Sequence, residues 1–101
     1  MPIVQRNHLM LINNGAVTGA AVDWIGGPGA MYVEGTFSGA TVKLQARTSQ
    51  DTWVDVGASV TFTAAGVAGF DLPAGDIRAA ISGGPPTNIY ASVRSIPHRG
   101  G

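Results

Sequence analysis

The chain is expected to fold as an all-β domain, an antiparallel β-sandwich. Three observations lead there. Helix formers are scarce: lysine and glutamate occur once each in 101 residues, against fifteen glycines and six prolines. Apolar and polar residues alternate with a period of two in several runs, the signature of half-buried strands. Glycine, proline and asparagine clusters separate those runs at short intervals, as turns in a sandwich or barrel do.

Taken in order along the chain, the runs are as follows. Residues 4–12 contain the short apolar stretch Leu9-Met10-Leu11-Ile12, and Asn13-Asn14-Gly15 is expected to end it as a turn. A second strand is predicted over 16–25, closed by the tight loop Gly26-Gly27-Pro28-Gly29. In the span 29–38, Met31, Val33, Gly35 and Phe37 alternate with Tyr32, Glu34 and Thr36. In the span 40–48, Val42, Leu44 and Ala46 point one way while Lys43, Gln45 and Arg47 point the other. The two-residue link Ser38-Gly39 reads as a hairpin turn between them. Spans 52–56, 58–64 and 67–72 follow, with Val60 and Phe62 alternating against Thr61 and Thr63. The last spans are 75–82, with Ile77, Ala79 and Ile81 on one face, and 88–96, with Ile89, Ala91 and Val93 opposite Tyr90, Ser92 and Arg94. One or two of these spans are expected to fail or merge, leaving about seven or eight short strands in jelly-roll or immunoglobulin-like order. Three stretches read Gly-Ala-x-Val, at Gly19, Gly39 and Gly57, and are expected to be three strands that each start after a glycine turn.

The length suits a single domain over 1–101. Residues 1–12 would serve as an N-terminal arm or edge strand, and residues 97–101 as a C-terminal tail. Six basic and six acidic residues leave no net charge, and only 12% of residues are charged, about half the usual share. Nucleic-acid binders need a clustered positive field to displace counterions from phosphate, so no nucleic-acid partner is expected. A sparse, neutral surface favours association. No apolar run approaches the roughly 20 residues of a membrane span, so no membrane partner is expected either. The chain contains no cysteine, which removes disulfides and thiolate metal sites.

No catalytic constellation is legible, and the chain is expected not to be an enzyme. The two histidines, His8 and His98, lie near opposite ends, and no serine sits in a nucleophile elbow. Asp51 and Asp55 flank Trp53, the best carboxylate and aromatic cluster, but Asp51-Thr52 reads as turn chemistry in which the carboxylate caps nearby amides. Gly26-Gly27-Pro28-Gly29 lacks the following helix and nearby lysine of a phosphate cradle. No metal or other cofactor is expected. The large amphipathic rings Trp24 and Trp53 suit a core or an edge, while the face carrying Tyr32 and Glu34 is the better candidate contact surface.

The stretch Tyr32-Val33-Glu34-Gly35-Thr36-Phe37-Ser38-Gly39-Ala40-Thr41-Val42-Lys43-Leu44-Gln45 carries a family resemblance. So do Thr52-Trp53-Val54-Asp55-Val56-Gly57, Gly69-Phe70-Asp71-Leu72-Pro73-Ala74-Gly75 and Ile89-Tyr90-Ala91-Ser92-Val93-Arg94. Together they make residues 28–96 resemble the small β-sandwich virion accessory proteins of tailed bacteriophages, of the capsid cement or decoration type. The resemblance implies a structural protein that stabilises the head shell, contacts the major capsid protein or other virion proteins, and forms a homo-oligomer, either trimer or dimer. It implies assembly in the host cytoplasm and residence in the virion, and it brings no active-site residues. The alternative reading is a tail or fibre accessory domain that binds host glycan, through Trp53 and the exposed Tyr32. The candidate interface comprises Tyr32, Glu34 and Trp53 with Ile3, Val4 and Gln5, whose segment could add a strand to a neighbour's sheet edge.

Overall fold

The period-two runs become strands, and their apolar sides meet between two sheets. The computed structural model describes residues 8–96. Its strands are β1 (His8–Gly15), β2 (Val22–Trp24), β3 (Gly27–Thr36), β4 (Thr41–Arg47), β5 (Trp53–Asp55), β6 (Thr61–Phe62), β7 (Gly66–Leu72), β8 (Gly75–Ser82) and β9 (Thr87–Ser95). Sheet A has the order β1-β9-β3-β7. Sheet B has the order β2-β8-β4-β5, with β6 also on β4. Every pairing is antiparallel.

The pairings have one simple reading. β1 pairs with β9, β2 with β8, β3 with β7, and β4 with both β5 and β6. The chain is thus one long antiparallel ribbon, doubled back at the turn between β4 and β5. The ribbon then rolls, so that β9 also pairs with β3 and β8 also pairs with β4. That is the connectivity of a jelly roll, not the immunoglobulin order.

All nine spans form strands, more than the seven or eight expected, because the weak ones shrink instead of vanishing. β5 and β6 share one edge of β4, and a 3₁₀ turn at Ala58–Val60 separates them. That turn also corrects the reading of the Gly-Ala-x-Val repeats. β2 and β4 begin as expected after Gly19 and Gly39, but the copy at Gly57 enters the 3₁₀ turn and its strand starts only at Thr61.

Three turn assignments are corrected. Ser38-Gly39 forms the expected tight turn, with φ of 48° and 86° and an Ala40 N–H donating to the Phe37 carbonyl at 2.8 Å. Yet its flanking strands belong to different sheets. β3 is bulged at Gly35, between Glu34 and Thr36, and Phe37 and Ala40 both turn into the core. The link is therefore a corner of the sandwich. Asn13-Asn14-Gly15 is not a turn after the strand either, but the last three residues of β1. Its left-handed residue, Asn14 (φ 57°), sits at a bulge inside β1, where the register to β9 shifts between Asn13 and Gly15; bulges commonly take such a conformation. Gly27-Pro28-Gly29 is not a loop but the start of β3, paired with Leu72, Asp71 and Phe70. The Pro28 carbonyl accepts from the Ile96 N–H at 3.0 Å.

The core lies where the two sheets face each other. Sheet A contributes Met31, Val33, Ile89, Ala91 and Val93, and sheet B contributes Trp24, Val42, Leu44, Ile77 and Ala79, all buried. No polar or charged residue is buried among those described. Trp24 takes the core position anticipated for it. Its ring stands 5.1 Å from that of Phe70 at an interplanar angle of 56°, a tilted contact of the favoured kind. Gly29 makes room for it: a Cβ there would fall 2.7 Å from the indole.

Candidate functional site on the outer face of sheet A

A sandwich has two outer faces, and here they are unlike. On sheet B the polar sides of β4, β5 and β8 form rows across the strands: Asp55–Gln45–Arg78, and Trp53–Arg47 leading on to Asp76. These rows close on themselves. Gln45 Nε2 donates to Asp55 at 2.9 Å, Lys43 pairs with Asp55 at 3.2 Å, and Arg78 Nε donates to Gln45 Oε1 at 2.9 Å. Arg47 pairs with Asp76. The Asp55 carboxyl is held below the ordinary carboxylate range, first by the Gln45 hydrogen bond and then by Lys43. Both neighbours favour its charged form.

Trp53 belongs to this face. The guanidinium of Arg78 lies 4.4 Å from its ring centroid and that of Arg47 lies 5.3 Å away. These are cation–π distances, so the ring is engaged within the chain and less open to stacking on a sugar. The turn before it is also capped differently from expectation. The Thr48 hydroxyl, not the Asp51 carboxylate, accepts from the amides of Gln50 (3.2 Å) and Thr52 (3.3 Å). Asp51 adopts a left-handed conformation (φ 62°), and its N–H donates to the Thr48 carbonyl.

The outer face of sheet A is the opposite case. One row crosses all four strands: Met10 on β1 pairs with Ser92 on β9, Ser92 with Tyr32 on β3, and Tyr32 with Val67 on β7. One step along, Tyr90 pairs with Glu34. Met10, Tyr32, Val67 and Tyr90 are 39%, 39%, 59% and 36% exposed, so four large apolar side chains stand in one patch. Small Ser92 lies among them and leaves a shallow groove of approximately 570 Å³. Arg94 stands beside Tyr32, with its guanidinium 5.4 Å from the ring centroid. Glu34 lies on the other side of the row. Neither charge has an ion-pair partner among the described residues.

Of the anticipated interface residues, the fold brings together Tyr32 and Glu34 and places Trp53 on the opposite sheet. Ile3, Val4 and Gln5 lie outside the described residues; they precede β1, which among the described residues pairs with β9 alone and stands at the edge of sheet A. Met10, Val67, Tyr90 and Arg94 were missed as site residues. The alternation in 88–96 already set Tyr90, Ser92 and Arg94 on one face. What was lacking was the pairing of β9 with β3, which joins that face to Tyr32. Met10 was hidden in an apolar run, because a register shift between Met10 and Ile12 puts Leu11 and Ile12 both in the core.

Among the described residues no group of three or more His, Asp or Glu is placed to hold a metal ion. The outer face of sheet A carries apolar side chains at its centre and charges at its margin, a composition common in interfaces. No protein-family model matches the chain, and no curated protein is significantly similar to it in sequence. Fold and site together define a jelly-roll β-sandwich with one self-satisfied face and one apolar face that no other described residue covers.

Proposed function

We propose that this chain is a structural part of a tailed-phage virion, a cement or decoration protein that stabilises the head shell through protein–protein contacts. The observation that carries this reading is the exposed apolar face of sheet A, formed by Met10, Tyr32, Val67 and Tyr90. Isolated exposed apolar residues are ordinary, but a contiguous patch rimmed by charge marks an interaction surface. Two features support a role in an assembly. The surface is charge-poor and neutral, which favours association. The jelly roll is a fold used for building viral shells, although that is analogy of fold and not of function. Attachment to the shell is assigned to the free edge of β1 and to Ile3, Val4 and Gln5 before it, since an open edge offers unpaired amides and carbonyls to a neighbouring strand.

The test is to purify particles from the phage that encodes the chain, separate heads from tails, and quantify the protein by mass spectrometry. It is expected in the head fraction at many copies, and lost from heads when residues 1–7 are deleted. Its absence from heads, or its presence only in tails, would overturn the reading.

A further inference from the structure

We infer that the outer face of sheet A pairs with the same face of a second copy of this chain, about a two-fold axis running along the row Met10–Ser92–Tyr32–Val67. The inference deepens the proposed function. It rests on this face being an interface and does not require the assembly to be a virion.

Face-to-face packing of identical sheets needs a two-fold axis lying in the plane between them, and such a contact must be self-complementary. The row supplies the axis. It crosses all four strands, so rotation about it lays Met10, Tyr32 and Val67 back on their own row in the partner. The same rotation exchanges what lies on either side of the row. On one side stand Arg94 and its cross-strand neighbour Ala30; on the other stand Tyr90 and its neighbour Glu34. Arg94 therefore comes over the partner's Tyr90, and Glu34 comes over the partner's Ala30. Each Arg94 then lies about one strand spacing, roughly 4.8 Å, to the side of the opposing Glu34, within reach of its long side chain. The small Ala30 leaves space for Glu34. The two charges without ion-pair partners among the described residues thus satisfy each other twice across the contact, and each Ser92 faces the Ser92 of the second copy.

The size of the face sets the strength. Four strands span about 19 Å, and about six residues along them span about 20 Å. The flat footprint is then about 400 Å² per copy, below the roughly 800 Å² per partner of a standard stable interface. The pairing is therefore weak, and it forms at high local concentration, as on an assembling surface.

The test is analytical ultracentrifugation of the full chain over a wide concentration range, with circular dichroism to verify folding; all the substituted side chains are exposed. A reversible monomer–dimer equilibrium is expected. Glu34→Arg and Arg94→Glu should each weaken it by about tenfold, and the double reversal should restore it to within about threefold of the wild type, because opposed charge pairs couple. Tyr32→Lys should abolish it. A chain that stays monomeric throughout, or a double reversal no tighter than the single ones, would overturn the inference. Its failure is separable from that of the proposed function. If the chain is monomeric but Tyr32→Lys removes it from heads, the face belongs to another virion protein and only the inference falls. If the chain dimerises as described but is absent from heads, the inference stands and the virion role falls.

Discussion

Replacing Trp24 by alanine is expected to cost about 3–5 kcal/mol, the range for deleting a large buried aromatic ring. A domain of this size has about 5–15 kcal/mol of stability in all, so Tm should fall by at least about 12 °C. The reason is position. Trp24 is 1% exposed at the end of β2 and fills the space left open by Gly29, with Phe70 beside it. Neither neighbour can move in to close the cavity, since Gly29 has no side chain and Phe70 is held in β7. Trp24→Phe keeps much of the ring volume, and the indole Nε1 finds no acceptor among the described residues; that variant should lose far less. A coupled prediction follows. Gly29→Ala should destabilise the wild type, because its Cβ would meet the indole at 2.7 Å and Phe70 at 2.9 Å, and should cost clearly less in the Trp24→Ala background, where only the Phe70 contact remains. Chemical denaturation of the four proteins measures the coupling. Additive effects, or a Trp24→Ala loss below about 1 kcal/mol, would show that the indole does not occupy this site.

Gly19→Val should be as damaging, for a different reason. Gly19 lies in the connection between β1 and β2, which is sewn to β8: its N–H donates to the Ala79 carbonyl at 3.0 Å, and the Thr18 hydroxyl accepts from the Ile81 N–H at 3.0 Å. On its other side the connection runs against β1. A Cβ at residue 19 would stand 2.0 Å from the Leu11 carbonyl oxygen and 3.1 Å from Ile12 Cγ1. Backbone meets backbone there, so no rotamer change relieves the clash. The connection must lift off one sheet or the other. The expected loss is about 3 kcal/mol, at the upper end for overpacking, measured by denaturant midpoint at unchanged slope. Gly57 is the control. A Cβ there would meet nothing within 4 Å, and its φ of 162° is ordinary extended backbone. Gly57→Ala should be neutral or slightly stabilising, through the unfolded state. Equal effects at the two positions would refute the close approach at Gly19.

These two sites mark what could be read in advance and what could not. Strands were legible wherever one side is buried and the other wet. Val42, Leu44 and Ala46 against Lys43, Gln45 and Arg47 is such a case, and so is Ile89, Ala91 and Val93 against Tyr90, Ser92 and Arg94. Burial imposes a period of two on composition, so the pattern is local and survives in the sequence. Pairing between distant strands leaves no such trace. A Ser-Gly turn of the right geometry looks the same whether its strands pair with each other or with strands far along the chain. Only the bulge at Gly35, where a Cβ would sit 2.4 Å from the Asn88 carbonyl oxygen, makes this one a corner. Bulges hid the rest: Asn14 bends β1 one residue before its end, and the shift after Met10 sends that side chain outward. The candidate face was half legible for the same reason. Tyr32 and Glu34 share one strand, so alternation exposes them together. Met10, Tyr90 and Val67 join them only through the rolled ribbon that sets β1, β9, β3 and β7 side by side. Trp53 shows the converse. Its companions Arg47 and Arg78 come from β4 and β8, and their approach turns an apparent ligand-binding ring into part of a closed polar surface.

The contrast between the two faces is the central claim, and oxidative footprinting tests it directly, because the relevant side chains are reactive ones. Met10, Tyr32 and Tyr90 report on sheet A, and Trp53 reports on sheet B. Hydroxyl-radical labelling of dilute and concentrated protein, read by mass spectrometry, should show Met10, Tyr32 and Tyr90 protected on association while Trp53 labels at an unchanged rate. Protection of Trp53 with undiminished labelling of Met10, Tyr32 and Tyr90 would contradict an interface on the outer face of sheet A.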